Sequence, residues 1–138
     1  MKRILYATDG SDSAMEAAAM VNQLMKAWPT AQLDVIYVTQ IFSSGMGAAV
    51  PMNFGSELAD DVGARALAAL QETSDRVTFR HVKDLASPAV VLSTIAEAEG
   101  FDLIVVGSHG RGAVDRLLLG SVSHGLVNRS SVPVLVVR

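Results

Sequence analysis

The chain contains no cysteine. That absence excludes a disulfide framework, a thiol nucleophile and a cysteine-ligated zinc site. There is no excess of basic charge either. Eleven Lys and Arg stand against fourteen Asp and Glu, a formal net charge of −3. Proteins that hold nucleic acid by its phosphates concentrate Lys and Arg, so no nucleic-acid partner is expected. No apolar stretch approaches the ~20 residues of a membrane helix, and no membrane partner is expected. The opening MKRILYATDG has two basic residues but only a short apolar run. It lacks the h-region and cleavage site of a secretory leader. Charged residues are sparse at 18% and hydrophobic ones reach 50%, which excludes disorder as the overall state. At 138 residues the expectation is one cytoplasmic domain spanning 1–138, long enough to bury roughly two-thirds of its unfolded surface.

What is present is an alternation of short apolar runs with helical periodicity. Ile4–Ala7 reads as a buried strand ending in the turn Thr8-Asp9-Gly10. Ser13-x-x-Glu16 has the form of a capping box. Ala14, Ala17, Val21, Leu24 and Trp28 then repeat at helical steps until Pro29. Leu33–Val38 is a second strand. Residues 40–56, rich in Gly and Ser, predict a long irregular loop, either a functional lid or a plain connection. Its Met46 and Met52 are candidates for touching a ligand or a second subunit. Leu58, Val62, Ala66 and Leu70 mark the next helix, with Ser56 as its expected cap. Arg76–Val82 alternates more than the other strands, as a strand near a sheet edge does. Ser87-Pro88 opens a third helix, lined by Ala89, Leu92, Ile95 and Ala96 and closed by Gly100. Leu103–Val106 is a fourth strand. A helix over 121–129 and a strand over Val132–Val137 finish the chain. Apolar strands separated by helices predict an α/β fold, a doubly wound parallel sheet with helices on both faces. Ligands in such sheets bind outside the carboxyl ends of the strands, at the switch in strand order.

Two features mark those ends. The first is Gly107-x-x-Gly110, nine residues, then Gly120-Ser121. Glycines after a strand let backbone approach a ligand closely. Successive main-chain N–H groups there form an anion-binding concavity, and a helix opening at Ser121 adds free N–H groups and a positive dipole end. Arg111 would add charge at the rim. Alone, these glycines are equally consistent with a structural turn. A Walker A string is absent, and the dinucleotide GxGxxG does not follow the first strand. The second feature is Asp9. It would repel phosphate yet accept hydrogen bonds from a ribose hydroxyl or an adenine amine; the other reading is a helix cap. His81 is isolated and has no metal-ligand spacing with His109 or His124.

The opening ILYATDGSDSAMEAA and the ending DLIVVGSHGRGAVDRLLLGSVSHGLVNRSSVPVLVV resemble the universal stress protein family over essentially the whole chain. The gap-free match to G-2x-G-9x-G-[ST] resembles its nucleotide-binding branch. That resemblance implies five parallel strands in the order 3-2-1-4-5 and ATP bound at the ends of strands one and four. Ala7 would lie beside the base, where the family often has proline, and Asp9 would meet ribose and adenine. Val38 would offer main-chain groups to the base. Val106 and Gly107 would meet sugar and phosphates. Gly110, Gly120 and Ser121 would cradle the triphosphate, with Val122 and Ser123 continuing the helix start.

Three functional readings follow: an ATP-binding regulatory stress protein with slow or no hydrolysis; an ATP hydrolase or adenine-nucleotide α-hydrolase; and a partner-binding module without nucleotide. The hydrolase group carries SGGxDS, where this chain has Thr8-Asp9-Gly10-Ser11-Asp12-Ser13, and the aspartate opposes pyrophosphate binding. The intact glycines oppose the third. Mg²⁺ would accompany the phosphates, with no metal ligands or catalytic residues assigned. The wholly apolar final strand, at a sheet edge, predicts pairing with a second copy.

Overall fold

The structure is a computed structural model that describes residues 1–42, 55–109 and 119–138. Strands β1 (Arg3–Ala7), β2 (Gln32–Gln40), β3 (Val77–Asp84), β4 (Leu103–Gly107) and β5 (Val134–Val137) form one sheet in the order β3-β2-β1-β4-β5. Every neighbouring pair is parallel, as expected. The helices are α1 (Asp12–Ala27), α2 (Ser56–Ala69), α3 (Pro88–Ala98) and α4 (Ser121–Arg129). Alternation along β1 divides the core. Ile4 and Tyr6 pack with Ala17, Val21 and Met25 of α1 and Ala66 of α2. Leu5 and Ala7 pack on the other face with Ala89, Leu92 and Ala96 of α3 and Leu126 of α4. Both faces are covered, which is why the central strands read as unbroken apolar runs.

The local expectations need four corrections. The capping box at Ser13 does not form. Ser11 is the N-cap of α1, and its Oγ accepts the Ala14 amide at 3.2 Å. The cause lies upstream: Asp9 Oδ1 takes the Ser11 amide at 2.9 Å, an Asx turn that leads the chain into α1. Gly55 (φ 74°), not Ser56, precedes α2. A short 3-10 helix over Gln71–Arg76 was not foreseen. The last strand begins at Val134 rather than Val132, because Pro133 has no N–H to give the ladder; its carbonyl instead accepts the Ile104 amide at 2.9 Å. The loop expected over 40–56, with Met46 and Met52, lies outside the described residues from 43 to 54.

The amino-terminal end of the sheet is closed by charge. Arg80 makes a two-pronged contact with Glu99 at 2.8 and 2.9 Å. Arg3 lies 4.1 Å over the Phe101 ring and pairs with Asp34 at 3.2 Å. Asp102 accepts the Lys2 and Arg3 amides at 2.6 and 2.9 Å. Those amides hold the Asp102 carboxyl below its usual range, and hydrogen bonding from Arg80 does the same for Glu99.

Candidate functional site

Strand order reverses between β1 and β4. The chain runs outward from β1 to β2 and β3, then returns to β4 beside β1. The connections after β1 and β4 leave toward opposite edges and open a crevice at their carboxyl ends. On the β1 side, the Thr8 amide reaches Ile36 O at 3.1 Å. The chain then turns at Gly10 (φ 76°), a left-handed position that glycine tolerates. Arg65 of α2 donates to the Gly10 carbonyl at 2.8 Å and braces that turn.

On the β4 side, Gly107 is required by crowding. A Cβ there would lie 2.8 Å from both the carbonyl oxygen and Oγ of Ser13, so only glycine lets the first turn of α1 approach β4. Ser13, released from the expected capping role, accepts the His109 amide at 3.2 Å. Ser108 is buried, and its carbonyl accepts the Gly120 amide at 2.6 Å and the Ser123 hydroxyl at 3.0 Å. Those two bonds carry the start of α4 back to the end of β4. The phenol of Tyr6 lies under α1, donates to the Ala14 carbonyl, and is pushed up to about 12 by burial.

These elements enclose a cavity of about 260 Å³. Nine expected residues line it: Ala7, Asp9, Val38, Val106, Gly107, Gly120, Ser121, Val122 and Ser123. Gly110 and Arg111 lie outside the described residues. Sequence reasoning missed Thr8, Ala14, Ile36, Tyr37, Pro88, Leu92 and His109; all seven line the cavity. Pro88 and Leu92 enter because α3 starts at the same sheet end, a consequence of topology that no motif announces.

The walls differ in character. Ile36, Val38, Leu92 and Val122 make an apolar side that suits a flat ring. Helix α4 begins behind Gly120 with no side-chain cap hydrogen bond, so its first amides remain available to an anion. Asp9 supplies a carboxylate for hydroxyl or amine donors. His81 is engaged elsewhere: its Nε2 is 2.7 Å from Thr39 Oγ1 and its ring stacks on Tyr37 at 5.2 Å. Burial, followed by Lys83, holds its pKa below the ordinary value. Among the described residues no group of three or more His, Asp or Glu side chains is arranged to hold a metal ion, and no helix is long and apolar enough to cross a membrane.

Known proteins share this arrangement. The model of the universal stress protein family matches residues 1–138. A universal stress protein of Methanocaldococcus jannaschii is 33% identical over 140 residues, covering 99% of this chain and 82% of the relative. One of Bacillus subtilis is 30% identical over 146 residues, covering 99% and 98%. The crystal structure of a universal stress protein in complex with cAMP superposes with a TM-score of 0.69 at 28% identity, covering 99% of this chain and 96% of that one.

Proposed function

The chain belongs to the universal stress protein family, and from that premise we propose that it is a cytoplasmic, ATP-binding regulatory protein of the stress response. The observation that carries the reading is the cavity at the β1–β4 switch, which joins an apolar wall to the uncapped start of α4. The base lies beside Ala7 and Val38, Asp9 meets ribose and adenine, Val106 and Gly107 meet sugar and phosphates, and Gly120 and Ser121 cradle the phosphates. Gly110 and Arg111 extend the cradle from the same glycine pattern. Mg²⁺ accompanies the phosphates and is held mainly by them. The cAMP complex of a relative supports an adenine nucleotide as the ligand class. Hydrolysis is slow or absent, since among the described residues no lysine lines the cavity and charge stabilisation at a γ-phosphate is central to turnover.

The same reading makes the protein a homodimer through β5. The Ile104 and Ser108 amides donate to Pro133 O and Val137 O. Alternation therefore turns the Val134 and Val136 main-chain groups to the outer edge. An apolar edge with free donors pairs readily with a second copy about a two-fold axis.

Purified protein is denatured and any released ligand identified by mass, and adenosine, ATP and NAD are titrated calorimetrically. Release or tight binding of an adenine nucleotide supports the reading. Failure of all three to bind overturns it, and turnover within ~1–10³ s⁻¹ favours the hydrolase alternative.

A further inference from the structure

We propose that His109 is a phosphate-contacting residue of this cavity, donating from Nε2, and that Ser108 sets its tautomer. The inference rests on the adenine-nucleotide reading and adds a side chain to a cradle otherwise made of backbone. Three observations carry it. His109 lines the cavity, beside Gly107 and the start of α4. Its ring is fixed at the other end: Nδ1 is 2.8 Å from Ser108 Oγ, while the main chain is held by the bond from its amide to Ser13 Oγ. Its Nε2 is buried and has no hydrogen-bond partner.

A buried polar atom without a partner is uncommon in a folded protein and calls for a reason. The neighbouring bond supplies one. The Ser108 hydroxyl has one hydrogen to give and a neutral imidazole has one lone pair to receive it. When Ser108 donates to Nδ1, the ring proton is on Nε2, and that N–H lacks an acceptor until a ligand brings one. A phosphate oxygen is such an acceptor, and the uncapped amides of α4 draw an anion to the same side of the cavity. Ser108 is itself held in place, because its carbonyl accepts both Gly120 N and Ser123 Oγ. The ring is therefore preorganised before the ligand arrives, which lowers the ordering cost of binding.

The test separates phosphate recognition from a structural role. Adenosine and ATP are titrated into the unmodified protein, His109→Leu and His109→Gln, with thermal melts confirming that each is folded. His109→Leu keeps the bulk and removes the donor; Gln restores an N–H near the Nε2 position. Loss of a hydrogen bond to a charged partner corresponds to roughly ten- to a hundredfold. The expected result is ATP weakened by that factor in His109→Leu, adenosine unchanged, and most of the ATP affinity restored in His109→Gln. In ¹⁵N NMR of the unmodified protein, Nε2 should carry the proton and its resonance should shift with ATP but not with adenosine. Equal losses for adenosine and ATP, unchanged ATP affinity in His109→Leu, or a proton on Nδ1 each overturn the inference while leaving nucleotide binding intact. An unmodified protein that binds neither ligand overturns the nucleotide reading and this inference with it.

Discussion

Replacing Gly107 by alanine tests whether the close approach of α1 to β4 builds the site. The added Cβ would lie 2.8 Å from Ser13 O and 2.9 Å from Ser13 C. These are backbone atoms of the first turn of α1, so rotating a side chain does not relieve the clash. Restoring an ordinary carbon contact of ~3.5 Å moves that turn by roughly 0.7 Å. Overpacking of this kind costs about 1–3 kcal/mol. For 138 residues, unfolding entropies near 2.1 cal/mol/K per residue convert this to a fall in Tm of about 3–10 °C. The same movement draws Ser13 Oγ away from the His109 amide, so ATP affinity falls by about tenfold, the worth of one ordinary hydrogen bond. Gly100→Ala is the control. Gly100 has φ +71° and nothing within 4 Å, so alanine there adds about 1–2 kcal/mol of backbone strain and leaves affinity unchanged. Denaturant melts and calorimetric titrations of both variants check this. A Gly107→Ala protein with unchanged midpoint and unchanged affinity would refute the reasoning.

Gly120→Asp should separate stability from binding: aspartate is a good N-cap, so stability rises by a few tenths of a kcal/mol, while calorimetry shows ATP affinity lost because the carboxylate competes for the α4 amides. Stability should fall in acid. Asp102 and Glu99 have folded pKa values below their ordinary 3.8 and 4.5, so the stability they contribute is present above those values and is lost as pH drops through the depressed folded ones; melts from pH 6 to pH 3 should show a shallower decline in Asp102→Asn. Val134→Pro removes an N–H from the outer edge of β5 while sparing the ladder to β4, so light scattering should report dimer for the unmodified protein and monomer for the variant; a monomeric unmodified protein refutes the pairing.

The parallel sheet was legible in the residues themselves, whereas its strand order and the placing of Ala7, Val38, Val106, Val122 and Ser123 at the site rested on the family resemblance. Central strands such as Leu103–Val106 are buried on both faces, so their apolar runs are unambiguous. The glycines were legible as a spacing, but Gly107 was taken for a residue that admits a ligand. The structure adds that it admits a helix: Ser13 occupies the space a side chain would need. The capping error at Ser13 has the same origin. Locally, Ser13-x-x-Glu16 fits a capping box as well as Ser11 fits a cap; the choice was made by Asp9, whose side chain takes the Ser11 amide. His109 could not be placed because its two anchors, Ser13 Oγ and Ser108 Oγ, are 96 and 1 residues away, and only the first requires the folded chain.

The four helix starts show where local stability gives way to the site. At α1 the Ser11 side chain satisfies a free amide, and that end packs against β4. At α2, Gly55 precedes the helix without a side-chain cap bond. At α3, Pro88 occupies the first turn and has no N–H to satisfy, so an apolar residue faces the cavity at no cost in orphaned donors. At α4, Gly120 leaves the first amides without a side-chain partner, although serine or aspartate there would stabilise the helix. The helix thus forgoes a few tenths of a kcal/mol at a position bordering an available cavity. The start of α2 also lacks a side-chain cap, away from the cavity, so it is the adjoining cavity and not the missing cap alone that marks the start of α4. The unpartnered His109 Nε2 belongs to a residue of the same cavity wall. With the ring proton on Nε2, as proposed above, two sets of donors beside one cavity would lack acceptors, and a phosphate would answer both.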